Sequence, residues 1–151
     1  LETFVEIIQP DGFTIQNDHI HGITHKMALS EGIELREALI SFMSALKQAD
    51  QLIAHHIEFD KTILFNELQA TKLTKQYFTD LYSKPFHCIM QEATTFCGLK
   101  KEGTDLLKYP KLSELHIKLF NKGLPEEKSA YFDTQATMHC FFKLKELGVI
   151  S

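Results

Sequence analysis

The amino-acid sequence predicts an α/β domain in which helices cover a sheet, and three observations carry that expectation. Apolar residues recur at helical spacing through several long stretches. A short apolar run, 52–54, lies between two of those stretches without polar alternation, as a buried central strand does. A chain of 151 residues, 44% hydrophobic with twelve Phe and no Trp, is one domain able to bury about two-thirds of its unfolded surface.

Each element follows from local pattern. Thr3 to Ile8 is apolar-rich and β-prone, and Pro10-Asp11-Gly12 turns the chain after it. Phe13 to Ile15 reads as a short extension and His21-Gly22 as another turn. A helix starts around Ile33 and continues to about Gln48, because Leu35, Leu39, Phe42, Met43 and Leu46 return every three or four residues. Asp50 closes it, and Leu52-Ile53-Ala54 is the first buried strand. Asp60 to about Ala70 is helical with Phe59, Ile63, Leu64 and Leu68 inward. Thr74 to Tyr82 is a further helix, built on Tyr77, Phe78, Leu81 and Tyr82 and ended by Pro85.

Phe86 to Ile89 is the second strand, and Gln91 to Phe96 a short helix. Residues 98–110, with Gly98, Gly103, Pro110 and several lysines, read as a surface loop. Ser113 to Phe120 is helical, and Gly123 with Pro125 breaks the chain again. The last helix runs from about Ser129 to Leu147, burying Phe132, Ala136, Cys140, Phe141 and Leu144. There is no internal repeat and no low-complexity tract. So few strands would leave sheet faces and edges uncovered, and Leu1 begins inside an element already running. Both features lead us to expect strands ahead of Leu1.

Composition narrows the function classes. At a net charge of −4 no global positive field recruits nucleic acid, although Lys100, Lys101, Lys108, Lys111, Lys118 and Lys122 crowd one region, as a basic patch or a solvated surface. Cys88, Cys97 and Cys140 show no CxxC spacing and read as buried free thiols of a cytoplasmic protein. No apolar run reaches the length of a membrane helix, and Glu2 and Glu6 at the start do not resemble a signal peptide.

Two acids stand where chemistry is plausible. Asp60 follows the 52–54 strand and opens a helix, so it is either a ligand-binding carboxylate beyond a strand's carboxyl end or a helix-start charge. Asp133 lies near the apolar stripe of the last helix and needs a partner wherever it is buried; a cation, a lysine or solvent would each serve. His55 and His56 are adjacent, so in an extended segment they point to opposite sides. No HExxH, GxxxxGK[ST] or GxGxxG motif occurs, and no Ser or Cys has a recognisable nucleophile setting.

Taken together, four segments resemble the DnaQ-like 3′–5′ exonucleases of the four-acid-and-histidine type, which include polymerase III epsilon proofreading domains and ribonuclease T. Ala54-His55-His56-Ile57-Glu58-Phe59-Asp60 looks like the second motif, Ala-His-Asn-x-x-Phe-Asp, with His56 in place of Asn. Ile20-His21-Gly22-Ile23-Thr24 is similar to the His-Gly-Ile segment that lies against the terminal nucleotide. Pro110-Lys111-Leu112-Ser113-Glu114-Leu115 resembles the stretch before the third motif, and Asp133 with Gln135-Ala136-Thr137 the third motif itself. The Asp-x-Glu first motif would precede Thr3; Glu2 and Glu6 have the wrong context for it. The family histidine, five residues before the third-motif acid, falls on Lys128.

The resemblance implies a ribonuclease H-like fold, a mixed central sheet flanked by helices, over one domain spanning 1–151 and lacking its N-terminal strand or strands. It implies a metal-dependent 3′–5′ exonuclease in which Asp60 and Asp133 hold two Mg²⁺ or Mn²⁺ ions, with the first-motif Asp bridging them. Lys128, protonated at neutral pH, would be a poor general base. His21, Gly22, Ile23 and His56 would line the pocket for a single-stranded or frayed 3′ end of DNA or RNA. A polymerase subunit or a second copy would be a further partner, and a membrane would not. The alternative is a catalytically silent domain that binds nucleic acid or a protein partner.

Overall fold

Apolar spacing of three and four residues dominates this sequence, and helices dominate the structure. The computed structural model describes residues 3–125 and 129–151. In chain order the helices are α1 (Asp18–His21), α2 (His25–Glu31), α3 (Leu35–Gln48), α4 (Ile57–Ala70), α5 (Thr74–Ser83), α6 (Ile89–Glu92), α7 (Thr94–Cys97), α8 (Leu112–Phe120) and α9 (Ala130–Glu146). Strand β1 (Leu52–Ala54) precedes α4, and β2 (Phe86–Cys88) precedes α6. The chain divides into two compact units: Leu1–Asp50 with Lys61–Lys84, and Gln51–Asp60 with Pro85–Ser151.

In the first unit α3 packs against α5. Leu39, Met43 and Leu46, at positions i, i+4 and i+7, form its buried stripe with Ala38 beside them. The carbonyls at the end of α3 have no partner within the helix. Lys84 Nζ meets two groups there, donating to Lys47 O at 3.0 Å and Ala49 O at 2.5 Å. Helix α2 was not expected from the sequence; Thr24 starts it, its hydroxyl accepting from Met27 N–H at 3.1 Å.

The second unit contains β1 and β2, which pair in parallel with Leu52 opposite Phe86, Ile53 opposite His87 and Ala54 opposite Cys88. Its core is mainly helical: Ile89, Ala93, Cys97, Leu115, Cys140, Phe141 and Leu144, with Ile150 after α9. Helix α8 is fixed at its start by Glu114, whose carboxylate accepts from Lys111 N–H at 2.8 Å and from Lys108 Nζ at 2.6 Å.

This architecture corrects the expected fold. The anticipated mixed central sheet flanked by helices is absent among the described residues, where the only sheet is the two-stranded, open pair β1–β2. Thr3 to Ile8, read as β-prone, makes one isolated parallel bridge, Ile8 to Ile33, with Gln9 N–H donating to Ile33 O and Ile33 N–H to Ile7 O, each at 2.9 Å. Phe13 to Ile15 forms no strand. Strand propensity becomes a strand only where a neighbouring backbone offers a ladder of donors and acceptors. The neighbour here is Ile33 alone, between two helices. The fold is therefore helix-dominant with a minor sheet, neither the α/β class nor the ribonuclease H-like arrangement. The resemblance to DnaQ-like exonucleases fails with it, because that fold is organised on a sheet that the described residues do not form.

Helix α4 carries a second correction. It begins at Ile57, and its buried positions are Ile57, Lys61 and Leu68, whereas Phe59 and Ile63, expected inward, are 59% and 46% exposed. Leu68 is buried as expected, but buried Lys61 interrupts the apolar series on the inner face, so hydrophobic identity alone misplaced Phe59 and Ile63. No helix among the described residues is long and apolar enough to cross a membrane.

Candidate functional site

Beyond Ala54 the carboxyl end of β1 delivers two histidines before α4 begins. Both lie in the bend between β1 and α4. His55 turns toward protein and His56 lies exposed. The His56 carbonyl accepts from Phe59 N–H at 3.0 Å and Asp60 N–H at 3.3 Å, which brings the first turn of α4 against it. Phe59 then stacks on His56, with ring centroids 6.0 Å apart and 24° between planes. Two exposed rings thus form a small flat platform at the end of the strand.

Asp60 stands on the first turn of α4, where partial desolvation raises its carboxyl pKa and a protonated His56 ring opposes that rise. Asp133 stands on the first turn of α9, which Ser129 starts by accepting from Phe132 N–H at 3.3 Å. Its charge acts on His55, favouring the protonated ring, but burial dominates and holds the His55 pKa below its ordinary value.

His55 connects the strand to a distant loop. Its Nε2 lies 3.1 Å from Pro110 O. Its carbonyl accepts from Met90 N–H at 3.0 Å and from the Cys88 thiol at 3.5 Å. Pro110 is fully buried, yet Tyr109 before it is 58% exposed and Lys111 after it is exposed. Residues 98–122 carry six lysines against three acids (Glu102, Asp105 and Glu114), a local excess of +3 in a chain of net −4. Lys100 pairs with Asp105 at 2.6 Å and Lys108 with Glu114 at 2.6 Å, while Lys118 lies 5.9 Å from the Phe96 ring centroid.

These positions overturn the expected exonuclease centre. Two-metal hydrolysis needs several carboxylates around one volume. Among the described residues no group of three or more His, Cys, Asp or Glu side chains is placed to hold a metal ion. The described residues thus supply no clustered acidic site for the two-metal mechanism, and no hydrolytic step follows from them. The terms exonuclease, DnaQ-like and ribonuclease H-like are withdrawn with the fold that implied them. Lys128, expected at the histidine position, lies outside the described residues.

His21, Gly22 and Ile23 belong to the other unit. There His21 Nδ1 accepts from Ile23 N–H at 3.1 Å and His21 Nε2 lies 3.4 Å from Gln16 O, so both ring nitrogens serve the turn. Gly22 ends α1 at φ 75°, a conformation that favours glycine. The cysteines offer no nucleophile. All three are free and buried, and burial together with the neighbouring Cys97 thiol pushes Cys140 up to about 12.

Sequence reasoning missed Tyr109 and the His55–Pro110 contact. The available signal was the Lys108-Tyr109-Pro110-Lys111 run, an aromatic ring between two basic side chains. Comparison with protein-family models, with curated proteins and with solved structures finds no match.

Proposed function

We propose that this chain binds single-stranded nucleic acid, without cleaving it, on the surface formed by His56, Phe59, Tyr109 and the lysine-rich segment around Lys111. The observation that carries this reading is the exposed His56–Phe59 stack at the strand end to which the Tyr109–Lys111 loop is hydrogen-bonded through His55. Unstacked bases have apolar faces that lie well on exposed rings, each contributing about 1–3 kcal/mol of affinity. Lysine ammonium groups meet the phosphates between them and release counterions. Rings and lysines interleaved in one unit match that chemistry better than they match a duplex, whose bases are already stacked. Asp60 and Asp133 set a limit on the surface, since their carboxylates repel phosphate unless neutralised.

Fluorescence anisotropy of a labelled oligothymidylate, titrated with the full chain at several salt concentrations, tests the reading. Saturable binding is expected, weakening with salt at a slope of about −0.7 per phosphate contacted, and a duplex of equal length should bind less tightly. No anisotropy change at millimolar protein, or equal binding of the duplex, would overturn it.

A further inference from the structure

We infer that His55 is a positioning residue: carrying its proton on Nε2, the ring holds the Pro110 carbonyl and thereby fixes the Tyr109–Lys111 loop to the end of the strand that leads into the His56–Phe59 stack. Its purpose rests on the nucleic-acid reading above, but its geometry is independent of that reading.

A carbonyl oxygen only accepts, so at 3.1 Å from Pro110 O the Nε2 atom must be the donor. The other nitrogen agrees. His55 Nδ1 is buried with no hydrogen-bond partner, as suits a lone pair and not an N–H. The base of the ring is tied down as well, since the His55 carbonyl takes Met90 N–H at 3.0 Å and the Cys88 thiol at 3.5 Å.

The loop is gripped from its other side by Glu114, which holds Lys111 N–H at 2.8 Å and Lys108 Nζ at 2.6 Å. Lys108 N–H also donates to Leu99 O at 2.8 Å. Between these anchors Pro110 presents a carbonyl from a buried position, leaving the neighbouring Tyr109 and Lys111 side chains outward. The charged or titratable groups acting on His55 are His56 beside it and Asp133 from α9. Neither supplies a hydrogen bond to Nδ1. The imidazole is thus a one-ended clamp across 55 residues of sequence, joining the strand that carries the rings to the loop that carries the lysines.

Two measurements test the inference, and they separate its failure from failure of the binding reading. Long-range ¹H–¹⁵N spectra of the full chain at neutral pH should show Nε2 protonated and Nδ1 bare; the opposite tautomer, with Nε2 bare, overturns the clamp. His55→Gln places an amide donor near the Nε2 position, whereas His55→Phe keeps the ring but removes the donor. The Gln variant should retain affinity for labelled oligothymidylate within about twofold, and the Phe variant should lose about tenfold, the factor corresponding to one well-made hydrogen bond. Backbone amide shifts of Tyr109 and Lys111 should follow the same split, moving in His55→Phe and not in His55→Gln. Should His55→Phe fail to fold, the Gln variant and the tautomer still decide. If the native chain binds no oligonucleotide, the functional reading falls and the amide shifts alone judge the clamp; unmoved shifts in a folded His55→Phe chain overturn it.

Discussion

Gly32→Ala should destabilise the first unit because of what surrounds the missing methyl, not because of backbone conformation. Gly32 sits at φ −74° and ψ 150°, which alanine adopts freely. A Cβ built there would lie 2.3 Å from Ala28 O, 2.7 Å from Gln9 N and 3.0 Å from Gln9 Cα. All three are backbone atoms, so no side chain can swing aside. Relief requires moving either the end of α2 or the segment around Gln9. That segment is held by the two 2.9 Å bonds between Ile7, Gln9 and Ile33. Losing both costs about 2 kcal/mol at about 1 kcal/mol each, and residual overpacking costs about 1–3 kcal/mol. The stiffer unfolded chain offsets about 0.4–1 kcal/mol of this. The net expectation is a loss of about 2–4 kcal/mol. Urea unfolding should show a lower midpoint at unchanged slope, and hydrogen exchange should show faster exchange at the Gln9 and Ile33 amides. An unchanged or higher midpoint would refute the reasoning, as would a loss of stability with those two amides still protected.

Three further outcomes follow from the second unit. Phe59→Ala should weaken oligothymidylate binding by about 1–3 kcal/mol while leaving the thermal midpoint nearly unchanged, because the ring is mostly in solvent and stacks on the exposed His56; anisotropy and circular dichroism together check this. Lys111→Ala should shift the salt slope of binding toward zero by about 0.7 without sequence preference, measured by anisotropy from low to moderate salt. Glu114 is held below the usual carboxylate range, first by the Lys108 hydrogen bond and then by Lys111 N–H. A depressed folded value means the unfolded chain binds that proton more readily, so the stabilisation is present at neutral pH and is lost as pH falls through the lowered value. Glu114→Gln should flatten that acid limb in urea midpoints taken across pH; an unchanged limb would contradict the assignment.

The elements built on local spacing were readable from the chain. Leu39, Met43 and Leu46 mark α3 because a helical stripe is a property of its own residues. Leu52-Ile53-Ala54 and Phe86-His87-Cys88 lie on strands close to their expected bounds, and Pro85 separates α5 from β2 as expected. What could not be read is how many backbones stand side by side. Thr3 to Ile8 has strand-forming residues, but its only ladder partner is Ile33, and that fact belongs to tertiary arrangement. Motif spacing failed for a related reason. Asp60 and Asp133 lie at suggestive positions in the sequence, yet no group of three or more metal-ligating side chains forms among the described residues. The reach of His55 to Pro110 was not legible either, because no local pattern reports a contact across 55 residues.

Neither compact unit is a continuous stretch of chain, since the polypeptide passes between them after Asp50, after Asp60 and after Lys84. No single cut can therefore release either one intact. To express the histidine-bearing half alone, Asp60 would have to be spliced to Pro85 through a new linker, severing α4 within its first turn. A protease nick in the 98–111 loop would leave both halves still joined through every one of those crossings.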